Sequence, residues 1–90
     1  MKKLEKTFKA LANKKRLEIL YFLSRSGRAS VGEIAEEIRT SIKSTSKHLL
    51  TLYHADFLEK ERARGLTLYD VGGKLGNIER VLLDFVRRQK

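Results

Sequence analysis

Apolar side chains return along the first half of this chain with a helical period, and then the rhythm changes. Leu4, Phe8 and Leu11 recur at i, i+4 and i+7, the spacing of one face of a first helix. Asn13 then reads as an N-cap, and Leu17, Leu20 and Leu23, widened by Ile19 and Phe22, predict the buried face of a second helix. Gly27 ends that helix or lies in the loop beyond it. Ser30-Val31-Gly32-Glu33 has the form of a capping box, in which hydroxyl and carboxylate each satisfy an orphan amide. It opens a short third helix with Val31, Ile34, Ala35 and Ile38 on one side. Thr40-Ser41 offers another cap, and a fourth helix follows with Thr45, Leu49 and Leu52 inward. Asp56 falls where the chain must leave that helix, and Asp tolerates a left-handed turn better than most residues with a Cβ.

From Phe57 the period becomes two. Residues 57–62 and 66–71 alternate like strands, and Ala63-Arg64-Gly65 between them supplies a tight turn with a glycine for positive φ. Gly72, Gly73 and Gly76 break the chain again. Asn77 is placed to cap a last helix, whose Ile78, Val81, Leu82, Phe85 and Val86 form a broad apolar stripe widened by Leu83. The expected architecture is therefore mainly α with a small β-hairpin, in the order α-α-α-α-β-β-α, as one domain over residues 1–90.

Two short helices joined by a turn of three or four residues form a helix-turn-helix when the second is rich in small polar and basic residues. Here the supporting helix is residues 31–38, the turn 39–41 and the recognition helix about 42–53, within a unit running from 31 to 55. Residues 57–71 are then a wing with a basic tip at 62–65. The run Thr40-Ser41-Ile42-Lys43-Ser44-Thr45-Ser46 holds five hydroxyl residues in seven and is followed by Lys47 and His48. Hydroxyls exchange hydrogen bonds with base edges and phosphates, short side chains let a helix sink into a major groove, and lysines supply charge. By itself such a run reads more readily as a solvated turn and cap. Its place on the second helix of the pair favours nucleic acid, since stronger helix formers would stabilise an exposed helix better. At 100° per residue, Lys43, Ser44, Lys47 and His48 point away from the face of Thr45, Leu49 and Leu52. Arg62 and Arg64 either protect an edge strand or carry the wing to phosphate or minor groove.

Charge sharpens this picture. The 90 residues carry 20 Lys plus Arg against 11 Asp plus Glu, a formal net charge of +9, so an acidic partner such as double-stranded DNA is expected. The surplus is uneven: residues 1–28 hold nine basic and two acidic side chains, whereas residues 29–38 hold three Glu and no base. Lys14, Lys15 and Arg16 sit in the first turn of the second helix, where the macrodipole disfavours cations. They mark a nearby anion, with DNA phosphate a candidate, or form a solvated cluster. Cysteine is absent, which excludes disulfides, thiolate nucleophiles and thiolate metal sites within these residues. No apolar run spans a bilayer, and Met1–Lys6 lacks a following apolar segment, so neither a membrane anchor nor a secretory signal is expected. The expected location is cytoplasmic, on the nucleoid.

Phe8–Leu20, Val31-Gly32-Glu33-Ile34-Ala35, Ser46-Lys47-His48-Leu49 with Leu52, Ala55-Asp56-Phe57-Leu58, and Arg62, Gly65 and Tyr69 together carry a resemblance. In joint spacing they are similar to the ArsR (arsenic-repressor) family of winged-helix transcription regulators over roughly residues 8–71. The resemblance implies a homodimer held by its first and last helices on palindromic operator DNA, with Lys43, Ser44, Ser46, Lys47 and His48 facing the major groove. Two segments and two single positions depart from it. Glu33-Ile34-Ala35-Glu36-Glu37 stands where metal-sensing members carry cysteines, and Ile78–Arg88 has Glu79 and Asp84 but no histidine. Asp56 replaces the usual glycine at the exit, and Ile42 stands where a polar residue is common. No metal and no cofactor are expected.

His48 and His54, six residues apart, point about 240° away from each other on a helix and cannot share one metal. His48 reads as a groove-facing donor and His54 as a solvated helix-end residue. Gly72–Gly76 lacks the P-loop spacing and reads as a hinge, and no catalytic constellation stands out. Leu4, Phe8, Ile78, Val81, Leu82, Phe85 and Val86 exceed what a small core can cover. They predict a two-fold dimer through helices at 1–12 and 77–90, unless the two helices pack on each other in a monomer. The leading expectation is a sequence-specific, dimeric DNA-binding transcriptional regulator that acts as a repressor. Its binding residues would be Ser41, Lys43, Ser44, Ser46, Lys47, His48, Arg62, Arg64, Lys14 and Lys15. The competing readings are a winged-helix module for a protein partner and a non-specific DNA- or RNA-binding protein.

Overall fold

The computed structural model describes residues 1–89; Lys90, the last residue of the predicted terminal segment, lies outside the described residues. Five helices and three strands follow in the order α1 (Lys2–Leu11), α2 (Lys14–Ser26), β1 (Ala29–Ser30), α3 (Val31–Ile38), α4 (Ile42–His54), β2 (Leu58–Ala63), β3 (Leu66–Val71) and α5 (Asn77–Arg87). This is a winged helix-turn-helix. The strand β1 was not legible in the sequence, because two residues show no alternation. It pairs antiparallel with β3 through Ala29 opposite Tyr69 and Ser30 opposite Leu68, giving a three-stranded sheet in the order β1-β3-β2.

Local chemistry sets most of the boundaries. The Asn13 side chain accepts a hydrogen bond from the Arg16 amide and opens α2, and Gly27 at φ 83° closes it. Ser30 and Glu33 complete the capping box: the Ser30 Oγ accepts from the Glu33 amide at 3.2 Å, and Glu33 accepts from the Ser30 amide at 2.9 Å. Ser41 caps α4 by accepting from the Ser44 amide at 3.0 Å. Asp56 adopts φ 68°, the left-handed exit its position implied. At the hairpin tip Ala63 pairs with Leu66, leaving Arg64 and Gly65 as a two-residue turn with φ 53° and 78°. Both signs match the twist that two-residue hairpin turns need, and glycine accepts the second without a Cβ penalty. Asn77 is not a cap: Gly76 occupies that position, no side chain bonds the helix end, and Asn77 is the first helical residue.

The core gathers Ile19, Leu20 and Leu23 of α2, Ile34 and Ile38 of α3, Leu49 and Leu52 of α4, and Phe57, Leu58 and Tyr69 around the sheet. Two apolar stripes turn out differently from their sequence reading. Leu17 stays exposed, because the buried face of α2 centres on Ile19, Leu20 and Leu23. On α1 the residues that turn inward are Thr7 and Ala10, which leaves Leu4 and Phe8 exposed. The Thr7 hydroxyl has two acceptors in reach, the Lys3 carbonyl at 3.0 Å and the buried Glu79 carboxylate at 3.3 Å. A polar contact thus joins α1 to α5.

Phe57 is fully buried at the junction of α4 and the wing. Phe57→Ala is expected to destabilise the fold by about 3–5 kcal/mol. Ser30→Ala, which removes one half of the capping box, should cost about 1 kcal/mol. Urea unfolding monitored by circular dichroism measures both.

Candidate nucleic-acid interface

Three side chains of α4, Thr45, Leu49 and Leu52, have no exposed surface, and they fix the rotation of that helix on the core. Thr45 also donates its hydroxyl to the Ser41 carbonyl at 2.8 Å, so a polar residue enters the core with its hydrogen bond satisfied. Ser41, Lys43 and Lys47 are exposed, and Ser44, Ser46 and His48 are half-buried along the flanks. Of the predicted strip, Lys43 and Lys47 therefore lie opposite the buried face of α4, with the others on its flanks and at its cap. Arg39, the first residue of the turn before α4, is left-handed at φ 58° and ends α3.

The first-turn cations of α2 divide in a way the sequence did not foretell. Arg16 donates to the carbonyls of Ala10 at 2.7 Å and Lys9 at 3.1 Å, closing the C-terminus of α1. Lys15 donates to the Ile38 carbonyl at the end of α3 and pairs with Glu18 at 3.4 Å. The anions these cations answer are thus the negative ends of two neighbouring helices. Lys14 remains exposed and lines, with Lys15, Leu17, Phe22, Arg39 and Phe85, an open groove of about 990 Å³ between α2, the end of α3 and α5.

Arg16 has a further partner. Its Nη1 lies 3.2 Å from Nδ1 of His48. A guanidinium only donates, so Nδ1 accepts, and the neutral imidazole carries its proton on Nε2. Burial first, and then the Arg16 charge, hold His48 below the ordinary imidazole value of 6.5. His48 is therefore a neutral residue with one free donor. His54 is exposed at the helix end. Among the described residues no group of three or more His, Cys, Asp or Glu side chains could hold a metal ion.

The wing is braced from both sides. Arg28, in the loop before β1, is paired with Glu61 of β2. Lys60 places its ammonium 4.4 Å from the Tyr53 ring centroid, which ties β2 to the end of α4. Arg62 donates to Thr67 across the hairpin at 2.9 Å, and Arg64 stands exposed in the turn. The exit of α4 is tied to α1 by the ion pair of Lys3 with Asp56 at 2.9 Å. Sequence reasoning missed the pairs Arg28–Glu61, Thr7–Glu79 and Lys3–Asp56. Only Thr7, a polar residue inside an apolar helical spacing, carried a sequence signal.

A profile described as bacterial regulatory protein, arsR family, matches residues 13–60, which span the second helix, the helix-turn-helix and the start of the wing. The chain belongs to the ArsR family. It is 37% identical over 71 residues to the arsenical resistance operon repressor of Bacillus subtilis (strain 168), covering 79% of this chain and 68% of that protein. It is also similar to the homodimeric winged helix-turn-helix DNA-binding domain of a possible ArsR-family regulator from Mycobacterium bovis. That likeness has a TM-score of 0.81 and 28% identity, over 96% of this chain and 76% of that one. The antimony-specific transcriptional repressor AntR matches with a TM-score of 0.72 and 26% identity, over 88% of this chain and 68% of that one. This ArsR-family chain is a DNA-binding transcriptional regulator, a family of regulators and not of enzymes. No helix among its described residues is long and apolar enough to cross a membrane.

The His48 environment predicts a pH dependence. Its folded pKa lies below its unfolded one, so the unfolded state binds more protons between the two values and stability rises with pH there. Stability is expected to fall as pH drops below about 6.5 and to level off once pH passes the folded value. His48→Gln should flatten that part of the profile. Asp56, also held below its usual value by the Lys3 hydrogen bond, acts below this window. Urea midpoints measured from pH 4 to 8 separate the two.

Proposed function

We propose that this ArsR-family protein is a homodimeric, cytoplasmic repressor that reads a palindromic operator and blocks promoter access. One observation carries the reading: Lys43 and Lys47 of α4 are exposed away from its buried face, with Ser44, Ser46 and His48 on the flanks, and the turn of the hairpin that follows exposes Arg64. Ser41, Lys43, Ser44, Ser46, Lys47 and His48 would enter the major groove, with the Nε2 proton of His48 as a donor to base or phosphate. Arg62 and Arg64 would meet phosphate or minor groove. Lys14 is available to a flanking phosphate. Lys15, spent on the end of α3, would contribute charge and little direct contact.

Two-fold assembly is supported by the apolar side chains left over from folding. Leu4, Phe8, Ile78, Val81 and Phe85 remain 39–60% exposed on α1 and α5. The two helices do not cover each other's stripes, which disfavours the monomer alternative. Val86 of the predicted set belongs to the protomer's own core, at 8% exposed, and Leu82 packs half-buried against it. The dimer surface is therefore narrower than the sequence implied: Leu83 is also inward, so the helix offers one edge of its apolar stripe. The M. bovis relative is homodimeric, and a two-fold pair would set recognition helices about 34–36 Å apart, one turn of DNA.

The B. subtilis relative is the repressor of an arsenical resistance operon. With no cysteine in these 90 residues, thiolate capture of arsenic is not open to them. The reading therefore includes no metal trigger.

Selection of bound genomic fragments with purified protein is expected to return a palindrome, bound at least about a hundredfold more tightly than bulk DNA. Arg62→Ala with Arg64→Ala should weaken binding to all duplexes and lower the salt slope by about two. Ser44→Ala should instead cost about 1–3 kcal/mol at one base position. Light scattering should give about twice the 10.4 kDa chain mass. Equal affinity for all sequences, or a particle of single-chain mass at micromolar concentration, would remove the corresponding half of the reading.

A further inference from the structure

Ile42 is the first residue of α4, directly after the Ser41 cap, and 61% of it is exposed. It belongs neither to the core cluster nor to the half-buried apolar side chains packed against that cluster. Its neighbours in sequence, Ser41 and Lys43, are exposed and polar. In the free protein a mostly exposed β-branched residue at this point gains little from burial, and helix propensity favours other residues there.

Its place also separates it from the surface left for a second copy. α1 lies along the C-terminal half of α4: Lys3 is paired with Asp56, and Arg16, which closes α1, touches His48. Ile42 stands at the opposite end of the helix. Beside it in the chain are Ser41 and Lys43, and one turn further on the same side is Ser46, all among the residues already read as the groove-entering face. On the floor of a major groove the apolar group is the C5-methyl of thymine; the other base edges present hydrogen-bonding atoms. Isoleucine has no donor or acceptor with which to answer those.

We propose that Ile42 is a specificity-determining residue that packs its side chain on the C5-methyl group of a thymine in each operator half-site. This rests on α4 being the DNA-reading helix. Ile42 selects thymine in two ways: it covers the methyl, and opposite cytosine it would leave the N4 amino donor facing an apolar side chain without a partner.

Deoxyuridine differs from thymidine only by that methyl, so it isolates the contact. With an operator obtained by fragment selection, each thymine is replaced singly by deoxyuridine and binding is measured by fluorescence anisotropy. In the wild-type protein one position per half-site is expected to weaken binding about fourfold, the worth of roughly one buried methyl-sized group. In Ile42→Ala that sensitivity should vanish, while other thymine positions respond as in wild type. Ile42 is exposed, so Ile42→Ala should keep the wild-type urea midpoint and the wild-type mass by light scattering. Tight operator binding with no uracil-sensitive position overturns the Ile42 contact and leaves the DNA-reading helix standing. Equal uracil sensitivity in wild type and Ile42→Ala overturns it as well, as does a loss of dimer mass in Ile42→Ala, which would assign the side chain to a protein interface. Absence of any sequence preference in the wild type fails the underlying reading first.

Discussion

The strip of α4 proposed to read a duplex is positioned by the burial of the other side of that helix. Thr45, Leu49 and Leu52 carry no exposed surface, and a helix with 3.6 residues per turn has no rotational freedom once those three are seated. Lys43 and Lys47 then point outward, and Ser44, Ser46 and His48 lie on the flanks. The partners of that burial come from α2, α3 and the start of the wing. A change in any of them would rotate the reading surface, even where it touches no DNA. Rigidity at the core is thus the condition for selectivity at the surface.

The second organising feature is the way cations are spent. Arg16 and Lys15 break a simple rule for helix N-termini, yet the structure gives each the C-terminal carbonyl of another helix. Three helix ends are brought together at little electrostatic cost, because the positive end of α2 and the negative ends of α1 and α3 share two side chains. Arg16 goes further and fixes the tautomer of His48. A residue of α2 therefore decides which nitrogen of His48 the proposed reading face presents. The strongly basic composition is divided between such internal work and the outer surface, so net charge alone overstates what is free for phosphate.

Apolar residues are divided in the same manner. On α5 the stripe is split between the protomer's own core, through Leu83 and Val86, and an outward edge of Ile78, Val81 and Phe85. On α1 the inward positions went to Thr7 and Ala10, which leaves Leu4 and Phe8 exposed for the proposed association. A single helix can serve fold and assembly together because its apolar arc is wider than the core needs. Ile42 is an exposed apolar side chain of another kind, isolated among polar neighbours, and its chemistry fits a base edge better than a partner helix.

The sequence by itself determined the local events. Asn13, Ser30 with Glu33, and Ser41 cap the helices they were expected to cap. Asp56 turns left-handed and Arg64-Gly65 closes the hairpin, because these choices depend on side-chain atoms within three or four residues of the backbone they satisfy. The buried face of α4 was legible for the same reason, through its period. Tertiary structure decided what no local rule reaches. The two-residue β1 exists only because β3 pairs with it, Gly76 rather than Asn77 takes the cap position of α5, and Leu17 and Val86 exchanged their expected sides. The partners of Arg16, Arg28, Thr7 and Lys3 lie 6 to 72 residues distant in the chain. Burial and long-range hydrogen bonds are set by where whole elements pack, and that packing is a property of the assembled core.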